Sequence, residues 1–307
     1  MAAALSAMPA SNSVSELEQI ELDLFVQALK RRHGHDFSQY APASLARRVR
    51  QLVHDHHCGS ISGLTTRLLH EADFVALVVQ GLSVPVSEMF RDPPVFRALR
   101  EQVLPILASY PQITIWQAGC AHGQEAYSLA ILLDEAGLYE RSHIFATDFN
   151  PDALRRAYEG IYPARDAQLW SRNYQEAGGH RSLADYYSAR YNFIKLDQRL
   201  RRNITFASHN LVADKVFCEA HLVLCRNVLI YFSAPLQNRT LTLFHDSLVR
   251  GGYLCLGLRE SLDFAPVAAD FSVLDAPLRL YRRGNRPASI ELARTVLPFT
   301  PNDTGSS

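Results

Sequence analysis

Two glycines separated by three residues, Gly119 and Gly123, lie between an apolar segment and a segment of helical periodicity. The preceding residues 113–116 are β-branched or aromatic, which predicts a buried strand. From Ala126 onward, apolar residues recur at the i, i+3, i+4, i+7 spacing of a helix with one buried face. A strand, a glycine turn and a helix together bring backbone N–H groups against a ligand. The spacing is not G-x-G-x-x-G, so a purely structural turn explains this feature equally well.

Polar residues follow three further apolar segments, at the positions where the carboxyl ends of parallel strands form a ligand crevice. An acidic residue at the end of the second strand is where such folds bind ribose hydroxyls, and an asparagine followed by leucine suits the edge and face of adenine. Each residue also has an ordinary role as a cap, turn or ion-pair residue, but their shared position favours a nucleoside ligand. The set comprises Asp148, Asn210, Leu211, Arg226, Asn227 and Tyr231.

Composition restricts the classes of protein to which the chain can belong. Its 307 residues are 48% hydrophobic and 20% charged, with 31 basic and 31 acidic side chains, so the formal net charge is zero. A neutral chain argues against non-specific nucleic-acid binding. The five cysteines are scattered, which predicts reduced thiols in a cytoplasmic protein. No Lys or Arg precedes Lys30 and no apolar run approaches about 18 residues, so neither a signal peptide nor a membrane helix is expected.

The pattern of apolar residues changes along the chain and predicts its organisation. Residues 1–14 are rich in Ala, Ser and Pro and are expected to be disordered, whereas 15–80 show only helical periodicity. Strands and helices alternate over 81–285, which predicts an α/β domain with a mostly parallel sheet covered by helices. An insert at about 160–205 interrupts this alternation, and the polar residues 286–307 predict a flexible tail.

Two local patterns underlie these boundaries. In the N-terminal part, the apolar residues Leu17, Ile20 and Leu24 recur at helical spacing. In the insert, the patterns of residues 191–196 and 203–207 predict strands, and we expect both to belong to a small antiparallel sheet.

Four stretches make the chain similar to a known family. MFRDPPVFRALREQVLP, GCAHGQEAYSLAILLDE, IFATDFNPDALRRAYEGIYP and AHLVLCRNVLIYF resemble the CheR-type chemotaxis receptor methyltransferases, and the likeness runs from about residue 20 to 282. The FRD and CRNVxIYF elements are specific to that family. The resemblance implies a class I S-adenosylmethionine-dependent methyltransferase fold with an all-α N-terminal domain and an inserted β-subdomain. It also implies methylation of glutamate side chains on chemoreceptors in chemotaxis-type signal transduction.

The resemblance also implies the roles of individual residues. Arg91 is expected to hold a carboxylate of the cofactor or the acceptor, and Tyr231 to line the acceptor side. Family members usually carry other residues at Pro85, His122 and Gln124, but we expect cofactor binding because the main contact residues are present. Together with the glycine turn, the expected S-adenosyl-L-methionine contacts are Ser87, Arg91, Gly119, Glu125, Asp148, Asn210, Leu211, Arg226 and Asn227.

A basic segment of the N-terminal domain is the expected partner surface. With Leu45 and Val49 facing the core, the side chains of Arg47, Arg48 and Arg50 are predicted to face solvent. The resemblance implies contact with the acidic, glutamate-bearing helices of a coiled-coil receptor, and a plain solvated face explains the charges equally well.

Other functions fit parts of this pattern less well. The same core acting on another signalling protein is one alternative, and a non-catalytic module that binds the cofactor and regulates a partner is another. The cluster of histidines at 54–57 with Cys58 lacks a second half at ligand spacing, so no metal site is expected. We expect a monomer.

Overall fold

The computed structural model describes residues 15–83 and 87–284. The chain divides into two compact units after Leu82. The segments 1–14 and 286–307, both expected to be flexible, lie outside the described residues, as does Pro85.

The first unit consists of helices. The side-chain oxygen of Ser15 accepts a hydrogen bond from the backbone N–H of Glu18 and so caps the first helix, which ends at Gly34 in the left-handed conformation. Its buried face is formed by Leu22, Phe25 and Leu29. In the described part of this unit the helices are α1 (Glu16–His33), α2 (Pro42–Asp55), α3 (Ile61–His70) and α4 (Phe74–Leu82).

The described residues of the second unit form a seven-stranded sheet with helices and a small inserted sheet. The strands are β1 (Ile113–Ala118), β2 (Ser142–Asp148), β6 (Ile204–Ser208), β7 (Ala220–Cys225), β8 (Leu248–Leu256), β9 (Phe271–Asp275) and β10 (Leu280–Arg283), with β3–β5 in the insert described below. The helices are α5 (Pro93–Ala98), α6 (Leu104–Leu107), α7 (Gln124–Glu135), α8 (Pro151–Glu159), α9 (Ala167–Glu176) and α10 (Ala234–Ser247). A π-helical turn, Leu99–Val103, joins α5 to α6.

The strand order is β6-β2-β1-β7-β8-β10-β9. The first five strands are parallel, and β10 is antiparallel to both β8 and β9. Strand β1 pairs with β2 on one side and with β7 on the other, so the order reverses at β1 and opens a crevice at the carboxyl ends of these strands. The residues of β7 are almost all buried, as expected of a parallel strand whose two faces are both covered.

A small antiparallel sheet of three strands is inserted after α8. It contains β3 (Ile161–Pro163), β5 (Phe193–Leu196) and β4 (Tyr187–Arg190), in that order. The expectation that 203–207 also belongs to this insert is wrong, because Ile204–Ser208 forms the edge strand β6 of the large sheet, with Ile204 opposite Ile144 of β2. The physical reason is burial: Ile204, Phe206 and Ala207 are covered there.

Candidate active site

The glycine turn follows β1 at the reversal of strand order. The backbone N–H groups of Gly119 and Cys120 both donate to the carbonyl oxygen of Thr147 at 2.8 Å, which ties the turn to β2. Gly119 has a φ of 73°, and a Cβ atom there would lie 2.5 Å from the Val228 side chain. Glycine is therefore required both by the backbone conformation and by the close approach of the segment after β7.

Asp148 ends β2 directly beside this turn. One carboxylate oxygen accepts the N–H of Ala121 at 2.9 Å and the other accepts the N–H of Asn150 at 3.0 Å. The residue is half-buried, and loss of solvation raises the pKa of its carboxyl group. The backbone N–H of Phe149 also bonds this carboxylate, which has about four acceptor positions and so retains capacity for a hydroxyl donor of a ligand.

A buried ion cluster joins three chain segments at the start of α7. The Arg226 guanidinium donates to Glu125 and to Asp92, each at 2.6 Å, and to the carbonyl oxygen of Arg91 at 3.0 Å. The side chains of Arg226 and Glu125 are 0% and 8% exposed. Gln117 donates to the second oxygen of Glu125 at 3.3 Å. Arg226, for which we expected a cofactor contact, is thus bonded to protein groups in the interior and fixes their positions.

The segment that carries Arg91 has an unusual backbone. Phe90 and Asp92 on either side of it have φ values of 52° and 55°, in the left-handed region that non-glycine residues rarely adopt. The N–H of Phe90 donates to the Ser128 hydroxyl at 2.9 Å, and Arg226 holds the other end. The Arg91 side chain is half-buried, and no hydrogen bond or ion pair joins it to another described residue. It is therefore available to bind an anion.

The segment after β7 contains Asn227 and Tyr231. Asn227 has a φ of 62°, and Tyr231 is half-buried in the short 3-10 helix Leu229–Tyr231. Sequence reasoning missed Glu260, whose carboxylate accepts the N–H groups of Asn227 at 3.1 Å and Val228 at 2.8 Å. Burial raises the pKa of Glu260, and its hydrogen bonds from backbone N–H groups oppose that shift. The signal available in the sequence was an acidic residue four positions after the end of the apolar strand β8.

The segment after β6 lies beside Asp148, because the N–H of His209 donates to the Asp148 carbonyl oxygen at 3.1 Å. The side-chain oxygen of Asn210 accepts the N–H of Val212 at 2.9 Å and closes a turn, while Leu211 is buried. Asn210 therefore has the ordinary role of a turn residue. Its side-chain NH₂ can still donate a hydrogen bond to an adenine edge. Ser87 is half-buried at the start of the second described range.

The predicted partner arginines differ from one another. Arg47 is exposed, and no ion pair joins it to the rest of the described chain. Arg48 is half-buried and donates to the Gly81 carbonyl oxygen at 3.3 Å, so its predicted exposure is wrong. Arg50 forms a two-point ion pair with Glu18. Arg50 is exposed although it is paired with Glu18, so helix geometry alone does not predict which of these arginines finds an acceptor on a neighbouring helix.

Neither a metal cluster nor a spanning helix was found within 15–83 and 87–284. No group of three or more His, Cys, Asp or Glu side chains there is arranged to hold a metal ion. None of the helices in these ranges has both the length and the apolar character needed to cross a bilayer.

The residues of the crevice fit S-adenosylmethionine, the cofactor implied by the motifs. Asp148 retains acceptor capacity for a ribose hydroxyl at the carboxyl end of β2. The side-chain oxygens of Gln117 and Gln124 are buried and accept no hydrogen bond from the described residues. Buried acceptors of this kind are satisfied by donor groups such as the ammonium of the cofactor's amino-acid portion.

Comparison with known proteins gives the family. Residues 85–277 match the model described as "CheR methyltransferase, SAM binding domain", and residues 20–83 match "CheR methyltransferase, all-alpha domain". The chain is 46% identical over 264 residues to the "Putative methyltransferase Cher3" of Pseudomonas putida, which covers 86% of this chain and 97% of that protein.

Proteins named for chemotaxis are also similar. The "Chemotaxis protein methyltransferase" of Listeria innocua is 31% identical over 78% of this chain and 88% of its own length. The "Chemotaxis protein methyltransferase 1" of Vibrio cholerae is 30% identical over 74% of this chain and 82% of its own length. The resemblance seen in the four motifs is therefore confirmed, and this chain belongs to the CheR methyltransferase family, whose cofactor is S-adenosylmethionine.

Proposed function

We propose that this methyltransferase modifies glutamate side-chain carboxylates of a chemoreceptor-like coiled-coil protein, as part of chemotaxis-type signal transduction in the cytoplasm. The proposal is supported by Arg91, whose carbonyl oxygen is bonded to Arg226 at the end of β7 and whose guanidinium has no anionic partner among the described residues. A planar cation of this kind binds a carboxylate by two parallel hydrogen bonds. We expect the enzyme to act as a monomer and to have no nucleic-acid substrate.

Methyl transfer to a carboxylate depends on the orientation of the reacting groups more than on proton transfer. S-adenosylmethionine, when bound, supplies a methyl group on a positively charged sulfur. A glutamate side chain has an unperturbed pKa near 4.3 and is already ionised at neutral pH, so the site needs no general base. Arg91 would hold the carboxylate of the acceptor or of the cofactor in line, and Tyr231 would line the acceptor side.

The remaining contacts are assigned by position in the crevice. Asp148 would accept the ribose hydroxyls, and Asn210 with Leu211 would meet the edge and face of the adenine. Arg226 would act through the groups it fixes, because its guanidinium is bonded to Glu125, Asp92 and the Arg91 carbonyl oxygen. The proposed cofactor-contacting set is Ser87, Arg91, Gly119, Glu125, Asp148, Asn210, Leu211 and Asn227.

The proposal is tested by transfer of a tritiated methyl group from S-adenosylmethionine into membranes that carry receptors from the same cell. Label in a coiled-coil receptor supports it. Label in a soluble protein alone would favour the same core acting on another signalling protein. Calorimetric binding of the cofactor without turnover on any receptor preparation would favour a regulatory module instead.

Replacement of Asp148 by alanine is expected to weaken S-adenosylhomocysteine binding by roughly ten- to a hundredfold, because a charge-assisted hydrogen bond contributes about 1.5–3 kcal/mol. The matched variant Asp148→Asn keeps one oxygen acceptor for the N–H of Ala121 or Asn150, so it should fold like the parent and lose less affinity. Titration calorimetry measures both. If Asp148→Ala binds S-adenosylhomocysteine as tightly as the parent, the cofactor does not contact Asp148 at this end of β2.

Replacement of Arg47 by alanine is expected to raise the KM for the receptor about two- to fivefold, the effect of one exposed charge pair. Arg50→Ala is the matched control, because Arg50 is already paired with Glu18 and should change the KM less. The Arg47 effect should shrink with added salt, since the Debye length is about 8 Å at physiological ionic strength and about 3 Å at 1 M. If the parent, Arg47→Ala and Arg50→Ala have equal KM values at low salt, the basic segment is a plain solvated face and not a receptor contact.

A further inference from the structure

Glu260 holds an unusual position in the second unit. It lies four residues after the end of β8, its exposed fraction is 4%, and no cation of the described chain forms an ion pair with it. A buried carboxylate without an ionic partner is costly unless hydrogen bonds replace its lost hydration. Its neighbour Arg259 is exposed and so does not supply that compensation.

The compensation comes from backbone N–H groups, and all but one of them lie in a single segment. One carboxylate oxygen of Glu260 accepts the N–H of Val228 at 2.8 Å and of Ile230 at 3.4 Å. The other accepts the N–H of Asn227 at 3.1 Å and of Gly257 at 2.6 Å. The residues 227–230 follow Arg226, the first residue after the parallel strand β7, whose carboxyl end opens on the crevice.

The bonded segment has a conformation that needs such support. Asn227 lies in the left-handed region, which costs free energy even for asparagine, the residue type that tolerates it best after glycine. A Cβ atom at Gly257 would lie 2.7 Å from the Asn227 nitrogen and 2.7 Å from Glu260, so only glycine allows the two chain segments to approach this closely. The segment also contacts the glycine turn, since Val228 fills the space in front of Gly119.

We propose that Glu260 is a positioning residue, whose carboxylate fixes the segment 227–231 so that Asn227 faces the cofactor and Tyr231 the acceptor. The roles given to Asn227 and Tyr231 rest on the proposed function, whereas the hydrogen bonds of Glu260 do not. The side chain does not itself reach the reacting atoms in this scheme. The Glu260 carboxylate holds segment 227–231 in one conformation before ligands bind. Less conformational entropy is then lost when the site binds them.

Hydrogen exchange and kinetics of Glu260→Gln test the proposal. In either orientation, the amide presents an NH₂ donor to one of the two pairs of N–H groups in place of an acceptor. Exchange should therefore rise at least tenfold either at residues 228 and 230 or at residues 227 and 257. Exchange in the glycine turn at 119–123 should stay within twofold of the parent. Affinity for S-adenosylhomocysteine and kcat should each fall about tenfold or more, with far-ultraviolet circular dichroism unchanged at the assay temperature.

Two further variants complete the design. Asp263→Asn removes an exposed carboxylate from the same loop and should leave every readout unchanged. Glu260→Asp keeps the charge with a shorter reach and should recover part of the exchange protection and of the affinity, which also covers the case in which Glu260→Gln does not fold. Parent-like exchange at 227–230 in Glu260→Gln, or a uniform rise over the whole second unit, would overturn the proposal.

Failure of the proposed function gives a different result. If the parent transfers no methyl group to receptor membranes, exchange and S-adenosylhomocysteine affinity still report on Glu260, because neither measurement uses the receptor. Local loosening with weaker binding would then support the positioning role while the glutamate acceptor is rejected.

Discussion

Replacement of Arg226 by methionine is expected to abolish detectable cofactor binding and to lower the free energy of unfolding by about 3–5 kcal/mol, the usual cost of breaking a buried ion pair by removing one partner. The guanidinium is 0% exposed and bonds Glu125, Asp92 and the Arg91 carbonyl oxygen. Without it, the Glu125 carboxylate, 8% exposed, stays buried beside Gln117 with no cation. The segment with two left-handed residues also loses its anchor.

Two matched variants separate charge from geometry in that experiment. Arg226→Met combined with Glu125→Gln removes the unpaired charge and should recover part of the lost stability without restoring cofactor binding. Arg226→Lys keeps a positive charge but replaces the planar fork by a point charge, so it should not hold both carboxylates and the carbonyl oxygen together. Chemical denaturation and calorimetry measure stability and binding. Parent-like binding in Arg226→Met would show that the cluster does not shape the cofactor site.

Replacement of Arg91 by alanine is expected to lower kcat about a hundredfold, the typical loss when one preorganised electrostatic contact to the reacting groups is removed. Stability should change little, because no hydrogen bond or ion pair joins this side chain to another described residue and the residue is half-buried. Arg91→Lys should recover part of the rate, since it keeps the charge without the bidentate geometry. Initial rates of methyl transfer and thermal unfolding measure the two effects.

The same assay identifies the atom that accepts the methyl group. A methyl group on a glutamate carboxylate is an ester, which mild alkali hydrolyses to volatile methanol, whereas a methyl group on nitrogen is stable under these conditions. Label transferred by the parent enzyme should therefore be released as methanol at high pH. Alkali-stable label would reject carboxyl methylation, and parent-like kcat in Arg91→Ala would reject the role of Arg91.

Local features were predictable where neighbours along the chain decide them. The strand, the two glycines and the helix that follows them are all visible within residues 113–126, because strand and helix periodicity can be seen in such a window. The acidic residue at the end of β2 was located in the same way. The apolar stripe of α1 shows the limit of this reasoning, because helical spacing was evident for Leu17, Ile20 and Leu24, yet Leu22, Phe25 and Leu29 form the buried face.

Strand pairing and carboxylate partners lie beyond such a window. Residues 204–208 have the pattern of a strand that could belong to either sheet. They pair with β2 of the large sheet, because their apolar side chains are buried there. From the sequence, Arg226 could equally be a ligand contact or an ion-pair residue. The structure shows the ion pairs, with Glu125 and Asp92 each at 2.6 Å. Glu260 carries no motif at all, and its role follows from backbone N–H groups about thirty residues earlier in the chain.

The sequence by itself determined the family, the cofactor and the strand ends at which the site residues stand, because these follow from local patterns and from motifs with fixed spacing. The tertiary structure decided which of those side chains remain available to ligands. Arg91 is available and Arg226 is enclosed, although both are arginines in family motifs. The difference is physical: a charge removed from water must find its partners within the fold, and the fold alone sets which partners are within reach.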